Sequence, residues 1–156
     1  MSHLLDAIAG VVNRHEPLPG LVTGGQPNVA HLAALKRAGC VAVLDIRDPM
    51  EAQPFKTPDA VRAAGLEYVN IPVSHASRDD ATLEAVRRAV ADCVGKKPLF
   101  VYCNSGNRVG ATLIPYLMLD RKMGEEQAVT EAMRCGMRSA ELAEWALDYV
   151  RKQRRS

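Results

Sequence analysis

The stretch from Leu99 to Gly110 constrains the fold more than any other part of the sequence. Its first four residues are apolar and β-prone and follow a Lys-Lys-Pro turn, so they predict a short buried strand that ends at Cys103. From about Asn107, apolar residues recur with helical spacing. A strand that passes through a small polar loop into a helix is typical of open α/β sheets, which bind ligands at the carboxyl ends of their strands. We therefore expect a ligand site at Cys103.

The loop between this strand and helix carries residues suited to an oxyanion. A helix N-terminus presents unpaired backbone N–H groups and a partial positive charge, and Arg108 offers a planar fork of donors. The same positive field favours the thiolate form of Cys103. The loop predicts a nucleophilic thiolate beside a phosphate or sulfate ion held by Asn104, Ser105, Gly106, Asn107 and Arg108. The alternative is a buried structural cysteine followed by an ordinary turn.

Residues 102–108 resemble the phosphate-binding loop of the protein tyrosine phosphatase superfamily. Bacterial phosphatase-like domains, found alone or fused to beta-lactamase-like hydrolases, carry the pattern Tyr/His-Cys-x-Ser/Thr-Gly-x-Arg. Here the pattern is matched by Tyr102, Cys103, Ser105, Gly106 and Arg108. The resemblance covers about residues 20–150 and includes TGGQP at 23–27, VLDIR at 43–47 and IPV at 71–73.

This resemblance implies a cysteine-dependent phosphatase of the dual-specificity type. The substrate would be a phosphorylated protein or a small phosphomonoester, and the reaction would pass through a cysteinyl-phosphate intermediate. Cys103 would be the nucleophile and Arg108 would hold the equatorial oxygens, with no metal ion and no organic cofactor. The resemblance also places the Gly24–Gly25–Gln26 segment beside the loop.

Two features of the loop differ from the superfamily pattern. Four residues separate Cys103 from Arg108, where phosphatases usually have five, and Val109 stands where a Ser or Thr usually helps the thiolate leave. A four-residue gap and the segment DIRDPME at 45–51 are similar to rhodanese-type sulfurtransferases, which would carry a persulfide on Cys103. A phosphate-binding module without turnover is the third interpretation.

The general acid remains open at this stage. A leaving alkoxide or phenolate needs a proton, which Asp79, or alternatively Asp80, could supply from the connection upstream of the loop. Both aspartates equally suit the N-cap of the helix that follows. His75 is a further candidate for the acid.

Polar residues near the ends of other predicted strands are expected to rim the same cleft, because the carboxyl ends of parallel strands meet at one edge. This rim comprises Gln26, Arg47, Asp48 and His75. An internal ion-pair cluster of Arg47, Asp48 and Glu51 is the alternative.

The whole chain predicts one α/β domain over residues 1–156. Strands that alternate with helices favour a three-layer αβα sandwich with a central, mostly parallel sheet of four or five strands. Residues 1–19 are expected to form a helical extension, and residues 20–150 the phosphatase-like core. The hydrophobic fraction of 47% is sufficient for a real core.

Composition excludes several classes of function. A net charge of +2 and an aromatic content of 4% argue against nucleic-acid binding. No apolar run approaches the ~20 residues of a membrane span, and residues 1–20 lack the features of a secretory signal. The four cysteines and four histidines are scattered without ligand spacing, which favours a cytoplasmic protein without a metal site.

Overall fold

The structure, a computed structural model, describes residues 3–155. In this part of the chain five strands form a sheet in the order β1-β2-β5-β3-β4, with β1 antiparallel to β2 and the remaining pairs parallel. The strands are β1 (His15–Leu18), β2 (Leu21–Gly24), β3 (Ala42–Asp45), β4 (Glu67–Asn70) and β5 (Leu99–Tyr102). The predicted mostly parallel sheet is confirmed.

Helices cover both faces of this sheet. They are α1 (His3–Ala7), α2 (Val29–Arg37), α3 (Asp59–Ala63), α4 (Asp80–Cys93), α5 (Asn107–Pro115), α6 (Glu125–Cys135) and α7 (Ala140–Arg155). A single 3₁₀ turn, His75–Ser77, precedes α4, and a π-helical turn, Tyr116–Asp120, follows α5. None of the described helices is both long and apolar enough to cross a membrane.

Two hydrophobic clusters lie on opposite faces of the sheet and make the three layers. One joins Leu44 and Val101 to α4, α5, α6 and α7, and the other joins Val43 and Phe100 to α1, α2 and α3. Every residue of β2, β3 and β5 is buried, because both faces of these strands are covered. The predicted three-layer αβα sandwich is therefore confirmed.

The prediction of a helical extension over residues 1–19 is wrong in its second half. Helix α1 ends at Ala7, and residues 15–18 form the antiparallel edge strand β1. Pro17 lacks a backbone N–H, and a sheet accommodates such a residue at its edge. In this segment Leu4, Ile8 and Val11 are buried against the sheet, whereas Val12 is exposed. Residues 1, 2 and 156 of the predicted domain lie outside the described part.

Candidate active site

The loop of residues 103–108 folds around the sulfur atom of Cys103. This residue follows the central strand β5 directly and is 1% exposed. The backbone N–H of Gly106 donates a hydrogen bond to Sγ of Cys103 at 3.1 Å, and the Arg108 guanidinium interacts electrostatically with the same sulfur. Helix α5 begins at Asn107, so its N-terminus adds the positive end of its dipole. These groups place hydrogen-bond donors and positive charge where an oxyanion would bind.

Gly106 is required by the shape of this loop. Its φ is +97°, a left-handed conformation that side chains rarely adopt. A Cβ atom here would also overlap the backbone carbonyl oxygen of Cys135 at the end of α6. The neighbouring Gly136, with a φ of +118°, completes this close approach.

One side chain and one backbone segment outside the loop hold the loop in place. The amide Nδ2 of Asn13 donates to the carbonyl oxygen of Ser105 at 2.8 Å. Oδ1 of Asn107 accepts hydrogen bonds from the backbone N–H groups of Arg138 at 2.6 Å and Ser139 at 3.2 Å. The loop is therefore held by the connection before β1 and by the connection between α6 and α7. Sequence analysis missed Asn13, whose φ of +57° marks a tight turn rather than a helix.

The Gly-Gly-Gln segment after β2 lies beside the loop, as the resemblance implied. The backbone N–H of Gln26 donates to the carbonyl oxygen of Asn104 at 3.1 Å. A Cβ on Gly25 would lie 2.6 Å from that same oxygen and 3.2 Å from Cα of Ser105. A glycine at this position therefore allows the two backbones to touch.

Arg108 is held by a carboxylate that sequence analysis had placed in a different cluster. Its Nη1 and Nη2 donate to the two carboxylate oxygens of Glu51 at 2.7 and 2.9 Å, and Nη1 also donates to the carbonyl oxygen of Val73 at 3.0 Å. These hydrogen bonds from Arg108 hold the pKa of Glu51 at about 2, well below its usual range. Glu51 is therefore a carboxylate at neutral pH.

A count of donors shows what Arg108 can still bind. A guanidinium has five N–H groups, and Glu51 and Val73 take both hydrogens of Nη1 and one of Nη2. The hydrogens on Nε and the remaining one on Nη2 are parallel and form a two-pronged fork. This fork is the geometry that binds two oxygens of a phosphate or sulfate.

Asn107 and Arg108, the last two residues of the loop, line a cleft of about 490 Å³. The residues that line it are Asp48, Met50, Glu51, Val73, Ser74, His75, Arg78, Asn107, Arg108 and Leu142. Two of the four predicted rim residues, Asp48 and His75, lie on its wall.

The other two predicted rim residues, Gln26 and Arg47, are not among the residues that line this cleft. Arg47 is 3% exposed and lies behind Glu51, with Nε 3.5 Å from Oε1 of that residue. Its Nη1 donates to Oε1 of Gln26, and its Nη2 donates to the carbonyl oxygen of Ala52 at 2.6 Å. A buried guanidinium needs such partners, and they direct Arg47 inward. The alternative of an internal ion-pair cluster holds for Arg47 and Glu51 only, because Asp48 contacts Glu51 through its backbone N–H, at 2.8 Å, and not through its carboxylate.

The two predicted acids occupy structural positions. Oδ1 of Asp79 accepts hydrogen bonds from the backbone N–H and the hydroxyl of Thr82 at 2.8 and 2.7 Å, so Asp79 is the N-cap of α4. The hydrogen bonds from Thr82 lower the pKa of Asp79. Asp80 begins α4, and its Oδ2 lies 3.4 Å from Nζ of Lys152 on α7. The capping role that the sequence allowed is therefore confirmed for Asp79.

The other cysteines are free thiols in different surroundings. Burial raises the pKa of Cys40 and of Cys135 to about 11, and burial also raises that of Cys93. All four cysteines are unpaired, so the chain as described contains no disulfide. Within residues 3–155, no group of three His, Cys, Asp or Glu side chains is arranged to hold a metal ion.

The fold and the Cys103–Arg108 loop define a domain of the protein tyrosine phosphatase superfamily. Residues 12–149 match the family described as a DSP-PTPase phosphatase fused to NAD+ kinase, and the chain belongs to this family. The predicted superfamily and its dual-specificity-like character are thereby confirmed.

Relatives and solved structures agree with this assignment. The chain is 33% identical over 92 residues to a beta-lactamase hydrolase-like protein of Agrobacterium fabrum, a match that covers 56% of this chain and 21% of that protein. The match thus spans about a fifth of the relative's length. A DUF442 protein assigned as a phosphatase, from Shewanella putrefaciens, superposes with a TM-score of 0.78 at 22% identity and covers 95% of this chain and 97% of its own.

A second similar structure contains a ligand. It is a cysteine-to-serine variant of TpbA from P. aeruginosa in complex with phosphotyrosine. The TM-score is 0.68 at 20% identity, and the similarity covers 90% of this chain and 83% of that one. At this level of identity the likeness shows the shared fold.

Proposed function

We propose that the protein is a cysteine-dependent phosphomonoesterase that acts through a cysteinyl-phosphate intermediate. One observation carries the proposal: the Gly106 N–H points at Sγ of Cys103, the Arg108 guanidinium interacts with the same sulfur, and its Nε–Nη2 fork has no oxygen acceptor among the described residues. The loop therefore offers a nucleophile and oxyanion donors together. The phosphotyrosine held by TpbA supports a phosphomonoester as the substrate class.

The reaction follows in two displacements. Sγ of the Cys103 thiolate attacks phosphorus, the bond from phosphorus to the leaving oxygen breaks, and a general acid protonates that oxygen. The fork of Arg108 and the loop N–H groups stabilise the charge on the equatorial oxygens. Water then attacks phosphorus and loses a proton to the same acid, now a carboxylate. The P–S bond breaks and inorganic phosphate leaves. No step requires a metal ion or cofactor.

We propose Asp48 as the general acid in place of Asp79. Asp48 lines the cleft with Arg108, and its backbone N–H donates to the same Glu51 carboxylate that holds Arg108. One of its own oxygens accepts a hydrogen bond from the N–H of Met50 at 2.9 Å, and the other has no hydrogen-bond donor within the described part of the chain. A group on the cleft wall can reach a leaving oxygen, whereas the carboxylate of Asp79 already binds Thr82.

The second displacement lacks one group that phosphatases of this superfamily usually have. Val109, which stands where a Ser or Thr helps the thiolate leave, is fully buried in the apolar core. We therefore expect hydrolysis of the cysteinyl phosphate to limit turnover, so that a burst of product precedes the steady state.

Sulfur transfer remains the second candidate because of the loop length. Four residues between Cys103 and Arg108 also match the rhodanese type. Family membership supports phosphate chemistry over this candidate and over a binding module without turnover. The scattered free cysteines support a reducing compartment, in which a thiolate nucleophile stays available.

The test is hydrolysis of 4-nitrophenyl phosphate by three proteins: the wild type, Cys103→Ser and, as the matched control, Cys93→Ser. We expect Cys103→Ser to lose turnover but to keep its affinity for inorganic phosphate. Cys93 lies at the end of α4 and is half-buried, so the control should retain activity. Turnover by Cys103→Ser at the wild-type rate would overturn the proposal.

A further inference from the structure

Arg78 lines the same cleft as Arg108 but lacks a hydrogen-bond partner among the described residues. Its side chain is 24% exposed, and its Nε atom is buried without a partner. The nearest carboxylate belongs to Glu141, whose Oε2 lies 3.6 Å from Nη1, beyond hydrogen-bond distance. The Glu141 side chain is 84% exposed, so this ion pair is weakened by water. Arg78 therefore offers a largely unused set of donors to the cleft.

The neighbouring guanidiniums of Arg108 and Arg47, unlike that of Arg78, have hydrogen-bond partners. Arg108 makes three hydrogen bonds and Arg47 makes two, and both lie next to the carboxylate of Glu51. Burying a guanidinium without partners is costly, because its N–H groups lose their hydrogen bonds to water. The Nη groups of Arg78 also have no hydrogen-bond partner among the described residues, and an anion in the cleft could accept from them.

The backbone that carries Arg78 is firmly held. Oγ of Ser77 donates to the carbonyl oxygen of Pro72 at 3.0 Å and accepts from the N–H of Ser74 at 3.0 Å. Oγ1 of Thr82 lies 2.6 Å from the carbonyl oxygen of Ser77 and shares its one hydrogen between this oxygen and Oδ1 of Asp79. The turn before α4 therefore presents Arg78 to the cleft from a fixed position, which is what a specificity residue requires.

We propose that Arg78 binds a second anionic group, a carboxylate or a phosphate, on a substrate whose first phosphate lies in the Cys103–Arg108 loop. This inference rests on the proposed function. The cleft, at about 490 Å³, has room for a phosphate and a further group. Met50, Val73 and Leu142 line other parts of it and suit an apolar or aryl body between the two anions. Arg108 is engaged by Glu51 and by the first phosphate, so Arg78 is, among the described residues that line the cleft, the arginine left for the second group.

The test compares kcat/KM for phenyl phosphate with values for 3- and 4-carboxyphenyl phosphate and for 1,3- and 1,4-phenylene bisphosphate. We expect kcat/KM of the wild type for at least one compound with a second anion to exceed the value for phenyl phosphate by about tenfold, because Arg78 would add one charged hydrogen bond. Arg78→Ala should lose this preference, and Arg78→Lys should keep part of it because the charge remains. Comparison of the carboxyphenyl phosphates with the phenylene bisphosphates shows whether Arg78 prefers a carboxylate or a phosphate as the second group.

The matched control is Arg88→Ala, since Arg88 lies on the exposed face of α4 and pairs with Glu84. It should show the wild-type preference. An unselective wild type, or a preference that survives in Arg78→Ala, would overturn the inference.

A binding arm separates this inference from the proposed function. Calorimetry with phenylphosphonate, 3- and 4-carboxyphenylphosphonate and 1,3- and 1,4-phenylenebisphosphonate needs no turnover. Tighter binding of at least one second-anion compound, lost in Arg78→Ala, would support the subsite even if no ester were hydrolysed. Equal affinity for all of them would exclude it even in an active phosphatase.

Discussion

The Glu51→Gln substitution tests whether a carboxylate positions Arg108. In the structure this carboxylate accepts two hydrogen bonds from Arg108, at 2.7 and 2.9 Å. An amide of the same shape offers one oxygen, and its NH₂ group would face an N–H of the guanidinium. We expect the fork on Nε and Nη2 to lose its fixed orientation, so that kcat falls by about tenfold to a hundredfold.

The interaction between Glu51 and Arg108 also determines how much Glu51→Gln lowers the free energy of unfolding. A pKa held at about 2, against the ordinary 4.5 of a glutamate, corresponds to roughly 3 kcal/mol. The Glu51 side chain is 31% exposed, so solvent screening reduces this to about 1–2 kcal/mol. Glu51→Gln should lower the free energy of unfolding by that amount at pH 7.

The pH dependence has a definite sign. A carboxyl group whose pKa is lowered on folding stabilises the protein above its unfolded pKa, and this contribution is lost as the pH falls through the folded pKa. The window is therefore about pH 5 to pH 2, and less than half of the difference between wild type and variant should remain at about pH 3. Urea denaturation from pH 7 to pH 3 measures it.

The matched control is Glu67→Gln. Glu67 pairs with Lys97 at 3.0 Å, but both side chains are about half exposed, so its removal should cost only a few tenths of a kcal/mol, about the lower limit for a surface pair. Parallel stability profiles for wild type and Glu51→Gln across the whole pH range would refute the positioning of Arg108 by a carboxylate.

Three further predictions concern the loop and the acid. Gly106→Ala should abolish protection of the thiol by phosphate against alkylation and lower Tm, whereas Gly124→Ala, with open space around it, should do neither; wild-type protection would contradict the loop geometry. Asp48→Asn should slow phenyl phosphate more than 4-nitrophenyl phosphate, because the poorer leaving group needs the proton, while Asp79→Asn should show no such difference; the reverse pattern would return the acid to Asp79. Stopped-flow assays of the wild type should show a burst of product before the steady state, and the amplitude of this burst should be smaller in Val109→Thr. A wild-type trace without a burst would contradict slow hydrolysis of the cysteinyl phosphate.

The central loop could be predicted from sequence because its signals are local. A continuous apolar run indicates a strand covered on both faces, and the helical spacing that follows sets the start of α5 at Asn107, where the structure has it. Cys103, Gly106 and Arg108 then fall at the one edge where a parallel sheet binds ligands.

The residues that hold the loop could not be predicted in the same way. Glu51 lies 57 positions from Arg108 and Asn13 lies 92 from Ser105, and no local pattern reports such pairs. The side chain of Arg47 points inward because it donates a hydrogen bond to Gln26. Gln26 lies 21 positions earlier in the chain and follows strand β2, whereas Arg47 follows strand β3. Edge strand β1 was missed because Pro17 within it and Pro19 after it are typical of the end of a helix. From sequence alone, Asp79 suited two roles, the N-cap of α4 and the general acid. Its hydrogen bonds with Thr82 show the capping role.

The most direct test of the central claim is mass spectrometry of protein quenched rapidly after mixing with 4-nitrophenyl phosphate or, separately, with thiosulfate. We predict an adduct of about 80 mass units on the peptide that contains Cys103, formed with the phosphoester and absent in Cys103→Ser, as a cysteinyl phosphate requires. An adduct of about 32 mass units with thiosulfate, and none with the phosphoester, would contradict the account and assign the protein to sulfur transfer. Absence of both adducts, with phosphate still protecting Cys103 from alkylation, would leave a binding module in place of an enzyme.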